Sequence, residues 1–137
     1  MNDRCPGHRS LGNGVLRGYR WIISRSGYAS VVVSPADEVH GVVYELSPAD
    51  EAGLDRHEGV DRGCYRKDYL PVELGGMTME CLVYVDPVQE EGLPSEEYIL
   101  RINQGIRDSG IPESYVDRYI RPFVPSSGKI HRQFIFP

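Results

Sequence analysis

The chain predicts an α+β fold, a single domain over residues 1–137 built on a largely antiparallel, barrel-like sheet. Three observations lead there. Strand-like runs open the sequence, one proline-led helix interrupts them ahead of a glycine-linked hairpin, and helical segments close it. Elements segregated in this way favour an antiparallel α+β layout over a wound parallel sheet. Neither G-x-G-x-x-G nor G-x-x-x-x-G-K-[ST] occurs, so the usual sequence signatures of a phosphate cradle are missing. A chain of 137 residues can bury roughly two thirds of its unfolded surface around one core.

Taken in order, "GVLRGYRWIIS" (14–24) and "ASVVVSP" (29–35) are rich in β-branched and aromatic residues and read as two strands joined through Gly27. "HGVVYEL" (40–46) supplies a third strand of a meander, with Val42, Tyr44 and Leu46 on one face and Gly41, Val43 and Glu45 on the other. "SPADEAGLDRHEG" then changes period. Ser47 is a good N-cap, Pro48 suits the first helical position, Asp50 and Glu51 favour the positive end, and Gly59 closes the helix. "YRKDYLPVEL" and "MTMECLVYV" flank Gly75-Gly76, a pair suited to a tight hairpin, and Pro71 places the first of these strands at a sheet edge. Ser95 caps a helix opened by Glu96 and Glu97, in which Tyr98, Ile102 and Ile106 recur at helical spacing before Gly110. Pro112 starts a second, shorter helix with Tyr115 and Tyr119 on one face; residues 122–137 form an irregular tail whose "FIFP" aromatics dock on the surface.

A formal net charge of −5 offers little attraction to a polyanion, so nucleic acid is not an expected partner. Apolar runs such as "VVV" and "WII" are too short to cross a membrane, and the N-terminus lacks a signal-peptide stretch. A cytoplasmic protein without a membrane partner is expected. Cys5, Cys64 and Cys81 are odd in number and contain no C-x-x-C pair, which points away from both a disulfide framework and zinc. The histidines, at 8, 40, 57 and 131, show no ligand-pair spacing, so no metal is expected. Cys64 has no basic helix end or sequence-adjacent histidine to activate it.

Glu58, in "LDRHEGV", stands at the end of the first helix. A carboxylate is disfavoured there by typically ~0.3 to 1 kcal/mol when exposed. A solvated surface acid is the plain reading. If the carboxyl is instead partly buried, desolvation and the negative helix end both favour its protonated form. A group so tuned toward ~6 to 7 both accepts and returns a proton near neutral pH. Tyr65, seven residues later, is the tyrosine near enough in sequence to share a site with it.

Several pieces resemble, in order and spacing, the gamma-glutamylcyclotransferase family: "RCPG" (4–7), "GYR", "HGVVYEL", "LDRHEGV" followed by "GCY", and "PSEEYILRINQG". The resemblance covers Met1 to about Val124. It implies a compact mixed barrel with flanking helices and a cofactor-free, metal-free release of 5-oxoproline from a small gamma-glutamyl amine or amino acid. Glu58 matches the family's catalytic glutamate, Tyr65 a tyrosine beside it, and Tyr98 one on the following helix. Those two tyrosines are the expected substrate-binding residues. The family also carries a first strand and a "YGSNL"-type loop ahead of "RCP", whereas here Met1 directly precedes "NDRCPG". The expectation is that this strand is missing from the given sequence, the natural protein being longer, and that its absence opens a sheet edge to homodimer pairing. The alternative function is a non-catalytic small-molecule-binding or interaction domain of the same fold.

Overall fold

Runs of β-branched residues explain why the early strands are longer than their punctuation implies. The computed structural model describes residues 9–126. In it, β1 (Arg9–Ile23) and β2 (Ala29–Glu45) form one long antiparallel hairpin. The separate strand expected at 40–46 is therefore the continuation of β2. Pairing passes from Arg17↔Glu38 to Tyr19↔Val33, so "SPAD" is absorbed as a bulge instead of forming a turn. Pro35 has no N–H to leave unpaired in that bulge, and Ser34 Oγ donates to Asp37 Oδ2 at 2.5 Å across it.

Next comes α1 (Pro48–His57), then the hairpin β3 (Arg66–Leu74) and β4 (Met77–Val85), α2 (Glu96–Ser109), and α3 (Glu113–Tyr115) running on as a π-helical turn, Val116–Ile120. Gly75 and Gly76 both take positive φ, 57° and 82°, as the tight turn of the second hairpin requires. Among the described residues the sheet order is β2-β1-β3-β4, antiparallel throughout. It is open where a barrel-like closure was expected, with β2 and β4 as the outer strands. The two hairpins pair at one position, Val15↔Glu73. β3 thus lies inside the order, not at the edge proposed from Pro71. Pro71 is tolerated because it pairs with Glu80 of β4 and stands off the single contact with β1.

Both sheet faces are covered. Leu16, Val31, Val72 and Val85 are buried where the hairpins face each other, joined by Val39, Val43 and Cys81. On the other side, Tyr115, Val116, Ile120 and Val124 pack with Trp21 of β1 and Ile102 and Ile106 of α2. The alternation expected for 40–46 follows this division. Val43 joins the first core, while Val42 and Tyr44 line a space against α2 and, at the outer strand's edge, also border the trough that Val43 lines. The "RCPG" segment, Cys5, His8, His131 and the "FIFP" tail lie outside the described residues.

Candidate functional site

Local chemistry places Glu58. Ser47 and Asp50 form a capping box at the start of α1, with Asp50 N–H donating to Ser47 Oγ at 3.1 Å and Ser47 N–H to Asp50 Oδ2 at 3.3 Å. At the other end of this ten-residue helix Glu58 is the C-cap, its N–H donating to Leu54 O at 2.8 Å. Gly59 follows at φ +66°, the left-handed conformation that ends a helix. A Cβ there would come within 3.0 Å of Arg62 Nη2 and the Cys64 side chain, so glycine is required twice over. The 3-10 turn Val60–Arg62 and Gly63 then bring the chain back toward the sheet at Tyr65.

The register of the second hairpin fixes what Tyr65 meets. Arg66 pairs with Val85, which sets Tyr65 opposite Asp86 just beyond the ladder. Its hydroxyl donates to Ala29 O at 3.3 Å, and Ala29 N–H donates to the Tyr98 hydroxyl at 3.1 Å. Tyr28 stacks edge-on against Tyr98 at 5.3 Å. Burial pushes the Tyr65 phenol well above its ordinary value, and the charges of Asp86 and then Glu58 push the same way. The structure therefore brings Tyr65 and Tyr98 to one residue of β2, Ala29. Glu58 itself is partly exposed.

A second group of polar side chains fastens α1 to the sheet. Lys67 of β3 donates to Glu51 and, at 3.1 Å, to Asp55; Tyr84 of β4 donates to Asp55 Oδ1 at 2.6 Å. The Tyr84 bond, followed by Lys67, holds the Asp55 carboxyl below its ordinary range. Two cavities lie nearby. An apolar trough of about 620 Å³ runs between β2 and β4 and reaches α1 at Glu51 and Leu54; a space of about 670 Å³ separates His40 and Tyr44 from α2. Glu58, Tyr65 and Tyr98 line neither. Among the described residues no cluster of three His, Cys, Asp or Glu is placed to hold a metal ion, and no helix is long and apolar enough to cross a membrane.

Sequence reasoning missed Asp86 and Ala29. Asp86 is 4% exposed and accepts from Ser24 and Ser26, and its partners lie as many as 62 residues away. Ala29 acts through its backbone, which side-chain chemistry does not announce.

With that geometry described, relatives can be compared. The AIG2-like family model matches residues 38–119. A gamma-glutamylcyclotransferase from Mus musculus is 32% identical over 100 residues, covering 72% of this chain and 52% of that protein. One from Bos taurus is 34% identical over 94 residues, covering 65% and 48%. The chain spans about half the length of the curated relatives it matches. Among solved structures, one named gamma-glutamyl cyclotransferase superposes with a TM-score of 0.77 at 25% identity, over 85% of this chain and 76% of that one. An uncharacterized human protein superposes equally well, TM-score 0.77 at 26% identity, with the same coverage of each chain.

Proposed function

Because this chain belongs to the AIG2-like, gamma-glutamylcyclotransferase-like family, we propose that it releases 5-oxoproline from a small gamma-glutamyl amine or amino acid. The observation that carries the reading is the convergence of Tyr65 and Tyr98, from separate elements, on Ala29.

In this reaction the substrate's α-amine nitrogen attacks its own γ-carbonyl carbon. Nucleophile and electrophile arrive tethered, so the protein's task is to fold the glutamyl chain into a ring and move one proton. Glu58 takes that proton from the attacking amine. As the carbon–nitrogen bond to the leaving amine breaks, Glu58 returns it to the departing nitrogen, and one carboxyl serves as base and then acid. No water is consumed; the products are 5-oxoproline and the free amine. Burial keeps Tyr65 protonated; its one proton is donated to Ala29 O, which leaves the phenol oxygen to accept from substrate, and Tyr98 walls the same corner. The proposed chemistry uses neither metal nor cofactor.

The test is 5-oxoproline release from gamma-glutamyl amino acids by the wild-type chain and Glu58→Gln, which keeps shape but cannot shuttle the proton. General acid–base catalysis is worth roughly 100- to 10,000-fold, and a loss of that size is expected. Equal rates from both proteins would remove the role given to Glu58. The apolar trough, which excludes Glu58, favours a second reading, a domain that binds without turnover. A gamma-glutamyl compound that raises the melting temperature yet is recovered intact would select it.

A further inference from the structure

We propose that Asp86 is a positioning residue for this site: it clamps the turn between β1 and β2 so that one residue, Ala29, holds the hydroxyls of Tyr65 and Tyr98 together through its C=O and its N–H. The inference rests on the assignment of Glu58, Tyr65 and Tyr98 just made.

The clamp is built from both the side chain and the backbone of Asp86. Its Oδ2 accepts from Ser24 Oγ at 2.7 Å and Ser26 Oγ at 2.8 Å, and its Oδ1 accepts from Val88 N–H at 2.8 Å. Its own N–H donates to Ser30 Oγ at 3.0 Å. One residue just past β4 thus grips the residue that follows β1, the turn, and the β2 arm. Ser24 is 0% exposed and Ser30 5%, so their two bonds to Asp86 are shielded from competing water, while Ser26 and Val88 stand at the exposed edge of the set. Hydrogen bonds to a carboxylate are about twice as strong as neutral ones. A carboxylate left buried and unpaired is strongly disfavoured.

Ala29 lies between the gripped points. It has no polar side chain, so the direction of its C=O toward Tyr65 and of its N–H toward Tyr98 is set by the backbone on either side. The turn itself is further fixed by Ser24 N–H to Tyr28 O and Gly27 N–H to Ser24 O, at 2.8 and 2.9 Å. Rotating this segment would move both phenols at once, although neither belongs to it. The negative charge of Asp86 adds to burial in keeping the Tyr65 phenol protonated. It therefore supports a donor role through space as well as through the turn.

The experiment follows the tyrosine ring carbons by NMR in protein carrying 13C at the phenolic carbon. Resonances are assigned with Tyr65→Phe and Tyr98→Phe, and Tyr119, whose hydroxyl donates to Asp37 at 2.6 Å, serves as the internal control. In Asp86→Asn the Tyr65 and Tyr98 signals should both move while Tyr119 holds. With a gamma-glutamyl amino acid, kcat should fall by roughly 10- to 100-fold, the penalty of misplacing groups by about an ångström, with a smaller change in KM. Ser30→Ala, nearly the same volume, cuts the β2 grip alone and should move the same two signals if Asp86→Asn does not fold. Unmoved Tyr65 and Tyr98 signals in a folded variant, or a shift shared with Tyr119, would overturn the clamp. If the wild type released no 5-oxoproline, the functional assignment would fall, and the resonances would still decide the clamp.

Discussion

Two polar networks flank Glu58 and differ in what they hold. On the α1 side, Lys67 joins Glu51 and Asp55 while 21% exposed, and its partners are 39% and 31% exposed. On the β1–β2 side, Asp86 at 4% exposure gathers Ser24, Ser26 and Ser30. The first links long side chains in contact with water, an arrangement worth little to stability. The second ties backbone to backbone through short side chains, with Ser24, Ser30 and Asp86 buried and Ser26 at the exposed edge, so that a missing partner among the buried three is costly. The contrast follows from what each network must position. Glu58 is already placed by its own helix, whose capping box and Gly59 define where α1 begins and ends. Tyr65 and Tyr98 come from different elements and share no local reference, so a rigid one is supplied by the turn.

The largest effect should come from disturbing the buried side. Gly92 crosses the turn so closely that a Cβ would sit 2.5 Å from Ser24 O and 2.8 Å from Arg25 Cα, while its N–H donates to Ile23 O at 2.8 Å. These neighbours are backbone and cannot swing aside. Gly92→Ala is expected to cost about 3 kcal/mol, the upper part of the usual overpacking range. That is roughly a 10 °C drop in a thermal melt followed by circular dichroism. An unchanged melting temperature would mean that the turn is no stiffer than the exposed network.

A smaller loss is expected on the α1 side. Ser47→Ala removes the acceptor of Asp50 N–H and should cost about 1 kcal/mol. Hydrogen exchange should quicken in the first turn of α1 and leave the Ser24–Ser30 turn protected. A loss exceeding that of Gly92→Ala would reverse the ranking of the two regions.

This contrast also explains what could be read from the residues alone. The caps of α1 and α2, the Gly75-Gly76 turn and the Glu58 position depend on neighbours within a few residues, and each was legible from local chemistry. Tyr65 was legible because only seven residues separate it from Glu58. Tyr98 entered through resemblance, since its bond to Ala29 spans 69 residues. The continuity of β2 through "SPAD" was hidden because Ser, Pro and Asp ordinarily signal a turn, and only the facing strand shows that the excursion is absorbed. The open sheet was likewise invisible, because closure depends on whether β2 and β4 pair, which no segment encodes by itself.

The exposed network should give the smallest effect, with a pH dependence as its signature. Tyr84 first, and Lys67 after it, hold the folded Asp55 carboxyl below its ordinary value of 3.8. A lowered acid contributes stability above the unfolded pKa and loses it as pH falls through the folded one. Glu51 and then Asp55 raise the Lys67 ammonium, so its contribution is complete below the unfolded value of 10.5 and declines as pH rises through the folded one. Lys67→Met should therefore lower the melting temperature at pH 7 by less than Ser47→Ala does. The gap between wild type and variant should close as acid protonates Asp55, and should narrow with added salt, which screens exposed pairs. The Tyr84 bond is the largest single cause of the low Asp55 value, and Lys67 adds both a hydrogen bond and a charge, so Tyr84→Phe and Lys67→Met should each raise the Asp55 titration midpoint, followed by carboxyl NMR. If either variant left that midpoint where it stands in the wild type, the partner it removes would not be part of what fastens α1, and with it Glu58, to the sheet.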